Sequence, residues 1–310
     1  MRTSAILVAV LSAVAAGVPG RDAAGTGQRP VFTSSAHSVS VDVSVRRGAA
    51  PVPNLAAAAF RLFDNGVEQA IEAVSIESVP IDVTLFHDTS PSLSGKIDDL
   101  QNDIRRIVGL LRPTDRVRLV TFGINVDVTP WWAAREPVDL SQVRVGRISA
   151  VNDALIVAMM RRPEPDRRHL VVALTDAVDA GSAVSTATLE AVAARAEAVV
   201  HLVRMQQQAG ARYTAGQWLP LMGDRGGPDR LGGVAERTGG RLYDASGSRD
   251  VIAAFRLAFD DFRQSYVLRY SPTGVPRAGW HDIRVEVPGV RGATVRARRG
   301  YFVEGEASGR

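Results

Sequence analysis

The chain has 310 residues, 45% of them apolar, and its 37 basic and 33 acidic side chains leave a formal net charge of +4. That length suits roughly two domains of the usual ~100–200 residues with room for a full core, and so small and scattered an excess excludes a nucleic-acid-coating surface. There is no cysteine, which excludes disulfides, a lipidated cysteine and any thiolate metal or redox centre.

The chain opens on MRTSAILVAVLSAVAAG, in which one early arginine precedes an apolar stretch from Ala5 to Val14 and small residues around Ala13–Ala15 suit signal-peptidase cleavage. The expectation is an export signal over 1–16 and a Gly/Ala-rich, disordered linker over 17–29. The apolar stretch falls short of the roughly 20 residues that cross a bilayer, and no other segment is long enough. The expected protein therefore has no transmembrane helix after signal removal and resides in the periplasm, on the cell surface or outside the cell.

Val39, Val41, Val43 and Val45 alternate with Ser38, Ser40, Asp42 and Ser44, the period of a half-buried strand. Asn65-Gly66 between alternating segments predicts a hairpin. Residues 30–78 thus read as a small N-terminal β segment. From Pro80 the rhythm changes: the apolar runs 81–86, 117–122, 170–174 and 199–203 suit buried parallel strands. Between them, Ile97, Leu100, Ile104, Ile107 and Leu111 fall at helical spacing, and further helices are expected over 151–160, 186–198, 231–238 and 250–262. The expected fold class over 79–262 is α/β, a Rossmann-like, doubly wound and mostly parallel sheet covered by helices on both faces. Alternation returns in SYVLRYSP, HDIRVEV and TVRARRGYFV. This predicts a C-terminal β segment over 263–304, able to complete a sandwich with the N-terminal one, and a tail over 305–310. Residues 206–229 have loop composition; their Trp218 is either a partner contact or the anchor of its own loop. The arginines at 291, 296, 298 and 299 suit the solvated face of a strand better than a polyanion site.

One run-out is chemically pointed. LFHDTSPSLSG places Asp88, Ser90 and Ser92 just past the first buried strand, where open α/β sheets bind ligands. The same residues could be a helix cap. A phosphate loop is disfavoured because the upstream glycine is missing and Ile97 follows Lys96. A second acid, Asp176, ends another strand in HLVVALTDAVDAGS, and Ser149 precedes a helix in GRISAVNDAL. Two carboxylates and three hydroxyls are hard oxygen donors of the kind that suit Mg²⁺ or Mn²⁺.

These motifs resemble the von Willebrand factor A-type (VWA) domain, specifically its exported bacterial VWFA-related kind. HDTSPS is similar to that family's Asp-x-Ser-x-Ser after the first core strand, RISAVNDAL to its Gly-Thr-Ala-x-x-Asp-Ala-Leu segment, and VVALTDAVDAGS to its Leu-Thr-Asp-Gly-x-Asp segment. The flanks AAFRLFDNGVEQAI, LGGVAERTGGRLYDA, SYVLRYSP and RRGYFV extend the resemblance over about 38–304. It implies a metal-ion-dependent adhesion site with Mg²⁺ (or Mn²⁺) held by Asp88, Ser90, Ser92, Ser149 and Asp176, and an exposed Asp or Glu of a protein partner filling the open position. The sequence departs from the pattern at Ser149, where threonine is usual, and at Pro91, Leu93 and Ala177, where Gly, Met and Gly are common. Asp179 reads as a loop or helix-cap residue and Asp153 as a supporting or exposed one. Enzyme readings lack support: the five histidines form no HExxH, and there is no Gly-x-Ser-x-Gly elbow. Strand alternation turns His87 away from Asp88. The expectation is a non-enzymatic, metal-dependent binding module; the alternative is a metal-independent assembly module of the cell envelope, gripping partners through sheet edges or the 206–229 loop.

Overall fold

A computed structural model of the chain describes residues 38–305 apart from 77–78, 90–96, 123–124, 138, 142, 144–148, 161–163, 165, 178, 180 and 206–227; at 97–100, 228 and 229 only the backbone is described. The export signal, the linker, Ser90, Ser92, Trp218 and residues 306–310 of the tail lie outside the described residues. No described helix is long and apolar enough to cross a membrane.

Along the chain run β1 (Val39–Arg47), β2 (Ala50–Pro51), β3 (Arg61–Asp64), β4 (Val67–Gln69) and β5 (Ala73–Ser75). The α/β part follows with β6 (Ile81–Asp88), α1 (Ile97–Val108), β7 (Arg116–Phe122), β8 (Val126–Val128), β9 (Trp132–Ala133) and α2 (Val151–Met159). It continues through β10 (Arg168–Thr175), α3 (Thr186–Arg195), β11 (Val199–Met205), α4 (Pro228–Arg237), β12 (Leu242–Ala245) and α5 (Ser248–Arg263). The last strands are β13 (Tyr266–Tyr270), β14 (Gly279–Glu286), β15 (Thr294–Ala297) and β16 (Gly300–Val303).

The seven-stranded central sheet has the order β12-β11-β10-β6-β7-β8, with β9 also on β7; the first five pair in parallel and β8 and β9 antiparallel to β7. All eight residues of β6 are buried, as a central strand covered on both faces requires. Alternation splits β6 cleanly. Ile81, Val83 and Leu85 join Ile104 and Ile107 of α1 and Phe255 and Phe259 of α5 in one cluster. Phe86 joins α2 (Val151, Ala154, Leu155), α3 (Leu189) and α4 (Val234) in the other. Helices on both faces make the sheet doubly wound, as the apolar runs predicted. The short β8, β9 and β12 carry too little pattern to be read from sequence. Helix α1 ends at Val108, before the expected Leu111, because Gly109 opens a turn there.

The flanking segments interleave. Strand β1 pairs with β13 and β15, and β3 with β14, so each of the two antiparallel sheets, β15-β1-β13-β5 and β16-β14-β3-β4, draws strands from both ends of the chain. One apolar cluster, including Val41, Val43, Leu62, Leu268, Tyr270, Ile283 and Tyr301, contains side chains of both sheets. Within it Asp64 is fully buried and accepts hydrogen bonds from Tyr270 and Tyr301 hydroxyls at 2.8 and 2.9 Å, with His281 Nδ1 at 2.8 Å from its other oxygen. The predicted hairpin is present: Asn65 and Gly66 take φ of 46° and 79° between β3 and β4, the doubly positive φ of a tight turn between antiparallel strands.

Candidate functional site

In chain order the central strands β6, β7, β8, β10, β11 and β12 lie in the pattern 3-2-1-4-5-6, so the order reverses between β6 and β10. Beyond the carboxyl ends at that reversal lies the crevice in which sheets of this kind take ligands. Asp88 is the last residue of β6 and Asp176 the first after β10. Register aligns His87 with Leu174, and adjacent strands run about 4.8 Å apart, so the two acids end neighbouring strands. Both are buried, with 0% and 4% of their surface exposed.

Which way Asp88 faces follows from the alternation. Phe86 lies in the α2-side cluster, and Asp88, two residues on, shares its face; His87 has the opposite face, toward α1. The same count along β10 puts Val171, Ala173 and Thr175 on the α2 side. Thr175 Oγ1 accordingly donates to Asp88 Oδ2 at 3.0 Å and accepts the Ala177 amide at 3.0 Å. Thr89 is buried and donates to the Phe122 carbonyl at 2.7 Å, tying the β6 run-out to the end of β7. His87 has its Nδ1 2.9 Å from the Asp88 carbonyl, and burial holds its pKa down to about 4.

Ser149, 4% exposed, sits two residues before α2 on that same face. Its carbonyl accepts the Gly181 amide at 2.9 Å, which ties its loop to the one that carries Asp176. Asp179 strengthens this tie. Its carboxylate accepts the Val151 amide at 2.9 Å and the Ser182 hydroxyl at 2.7 Å, so it caps α2 from another loop; Ala150, at the usual cap position, has no side chain able to do so. Asp153 reciprocates by accepting the amides of Ala183 and Val184 at 2.8 and 3.0 Å. Both aspartates are thus engaged between the loops, the roles expected of them.

Ala177, where the resembled family commonly has glycine, takes φ of 64°. The left-handed backbone that glycine would adopt freely is kept at a strain of about 1–2 kcal/mol, held by the Thr175 hydroxyl on its amide. The substitution therefore leaves the turn in place.

Of the five predicted ligands, Asp88 ends β6 and Ser149 and Asp176 lie on two loops tied to one another, with Thr175 of β10 linking that end of the sheet to Asp88. Ser90, Ser92 and the partner-contact candidate Trp218 lie outside the described residues. Among the described residues no three His, Cys, Asp or Glu side chains group as metal ligands; the donor set read from sequence contains two acids and three hydroxyls, and the described part of it fits a hard dication. Sequence reasoning missed Thr175 as the group orienting Asp88. Its place two residues after Ala173, on the face of Asp88, was the available signal.

No protein-family model matches the chain, and no curated protein matches it. Similar solved structures include a von Willebrand factor type A protein from Catenulispora acidiphila, with 10% identity, a TM-score of 0.45, and coverage of 89% of this chain and 76% of that one. Another is the conserved hypothetical protein BatB from Bacteroides thetaiotaomicron, with 14% identity, a TM-score of 0.42, and coverage of 59% and 98%. A third is the pilus adhesin SpaC from Lactobacillus rhamnosus GG in its open conformation, with 11% identity, a TM-score of 0.44, and coverage of 78% and 46%. The resemblance to the VWA domain is carried by the sequence motifs, of which the described residues Asp88, Ser149 and Asp176 lie toward the carboxyl ends of a doubly wound sheet.

Proposed function

We propose that the chain is an exported, non-enzymatic protein-interaction module that holds Mg²⁺ (or Mn²⁺) at Asp88, Ser90, Ser92, Ser149 and Asp176 and captures an exposed Asp or Glu of a partner protein. The observation that supports this reading is that Asp88 and Asp176, both buried, end adjacent strands at the reversal of strand order. Two buried carboxylates at neighbouring strand ends call for a counter-charge, and a dication there would offset both. Mg²⁺ bound by proteins usually keeps part of its shell for water or an incoming oxygen, which gives an acidic side chain a place to bind.

The chain's own residues divide the work. Thr175 orients the Asp88 carboxylate, Asp179 and Asp153 hold the Ser149 loop against the Asp176 loop, and Thr89 fixes the exit of β6. A site built in this way is preorganised, so its oxygens need little ordering when the ion arrives. Recovery of a partner from envelope extracts with Mg²⁺, its loss in EDTA, and its loss in Asp176→Ala are the expected results. Binding that survives both EDTA and Asp176→Ala favours instead metal-independent assembly through a sheet edge or the 206–229 loop.

A further inference from the structure

The four arginines near the C-terminus do not form one solvated face. Arg291 and Arg299 are exposed, the latter paired with Glu236 at 2.9 Å, whereas Arg296 and Arg298 are half-buried. Arg298 lies between β15 and β16 and bridges Thr238 through its backbone. Its Nε donates to the Gly300 carbonyl at 2.8 Å, and among the described residues its guanidinium forms no ion pair. Burial lowers its pKa, with Glu197 and Asp42 acting against that shift. A half-buried cation with no ion pair is left without full charge compensation.

Arg298 lines a cleft of about 920 Å³ between β1 and β16 on one side and the end of α2 and α3 on the other. The cleft is at the amino ends of β10 and β11, since it reaches Arg168, His169, Ala198 and Val199, and is thus at the opposite edge of the sheet from Asp88 and Asp176. Its other interior charges are paired: Arg168 with Asp42, Arg167 with Asp82 and Glu164 with Arg116. Arg195 donates to the Ala191 carbonyl and lies 4.8 Å over the Phe302 ring. Glu197 and Glu304 are exposed to solvent. The apolar part of the wall includes two side chains that a folded protein would ordinarily cover, Met160 at 64% and Phe302 at 41% exposure.

We propose that this cleft binds a small amphiphile with a carboxylate head, the head on Arg298 and the apolar chain over Met160 and Phe302. Its volume is within the ~300–1,000 Å³ of small-ligand sites, and its mixed wall sets apolar Val39, Met160, Val192 and Phe302 beside charged side chains that, Arg298 apart, are ion-paired or open to solvent. A guanidinium takes a carboxylate in paired hydrogen bonds. A singly charged head fits better than a dianion because Asp42, Glu197 and Glu304 line the same cleft.

The test uses the full chain and decanoate below its micelle-forming concentration, with decanol as the headless probe and acetate as the chainless one, read by calorimetry and melting temperature. Decanoate is expected to bind and raise the melting temperature, while decanol, which loses the charged hydrogen-bonded pair, and acetate, which loses the buried chain, bind at least about tenfold more weakly. Arg298→Gln should remove the preference for decanoate over decanol; Phe302→Ser should weaken both and leave the preference intact. Should Arg298→Gln fail to fold, Arg298→Lys, which keeps the charge and loses the paired geometry, should weaken decanoate while sparing decanol. No decanoate binding by the wild type, equal binding of decanol, or unchanged decanoate binding in the Arg298 variant overturns the proposal. So does a protein that self-associates through this cleft, seen as a mass that rises with concentration and falls in Phe302→Ser, since a second copy is then the occupant.

Discussion

Asp261→Asn should be among the most damaging conservative substitutions in the molecule. Asp261, on α5, is 3% exposed and accepts from the Ser44 hydroxyl at 2.8 Å and from Arg46 at 2.9 Å, both on β1, so one carboxylate ties the α/β part to the flanking sheets. Arg296, Tyr243 and His201 are within its electrostatic reach, and Arg241 acts on the same groups. The amide keeps the shape but removes the negative charge that pairs with Arg46. The Arg46 side chain is itself 8% exposed, and breaking a buried pair from one side costs about 3–5 kcal/mol because the remaining charge has no partner. Urea unfolding followed by far-UV circular dichroism should report a loss of that size. Replacing both partners with apolar residues, Arg46→Met with Asp261→Leu, should recover most of it, since neither charge then stays buried. A loss below about 1 kcal/mol for Asp261→Asn, or a double replacement as unstable as the single, refutes the reasoning.

Three further outcomes follow from the same geometry. Thr175→Val should weaken Mg²⁺ binding while Thr175→Ser restores it, in calorimetric titrations, because the hydroxyl at 175 donates to Asp88. Asp179→Ala should cost about 1–2 kcal/mol of stability through the lost cap on α2, in EDTA as in Mg²⁺, measured by urea unfolding. His201 accepts the Arg241 amide at 3.2 Å and is held neutral by burial, its pKa down to about 4 against 6.5 for the free side chain. The unfolded chain then binds the extra proton between pH 6.5 and 4, so this contribution is complete above pH 6.5 and lost as pH falls toward 4, at most roughly 3 kcal/mol. His201→Asn should flatten the stability profile in that window.

The parts of the fold written in periodicity were legible. Valine alternation located β1, four apolar runs located β6, β7, β10 and β11, and Asn65-Gly66 located a turn whose positive φ values explain the choice of residues. What periodicity cannot carry is which distant strands pair. Nothing local in 39–47 distinguishes β13 and β15 as its neighbours, and the interleaving of the two flanking segments depends on long-range packing around Tyr270 and Tyr301. The site was legible in the same uneven way. Asp88 and Asp176 were marked by following buried strands, whereas Thr175 and the cap by Asp179 depend on register and loop contact. The arginine patch was legible only in part, because a strand with alternating arginines looks solvated when its neighbours are unknown; Arg291 and Arg299 are exposed, whereas Arg296 and Arg298 are half-buried.

The most direct measurement is a Mg²⁺ titration of the full chain against the EDTA-treated protein, by calorimetry and melting temperature, beside Asp88→Ala and Asp176→Ala. A bound ion at about 100 times its dissociation constant should stabilise the wild type by about 2.7 kcal/mol, and both variants should show no response to Mg²⁺ or EDTA. A wild type whose melting curve is the same in Mg²⁺ and in EDTA, with no heat of binding, contradicts the metal site and with it the proposed mode of partner capture.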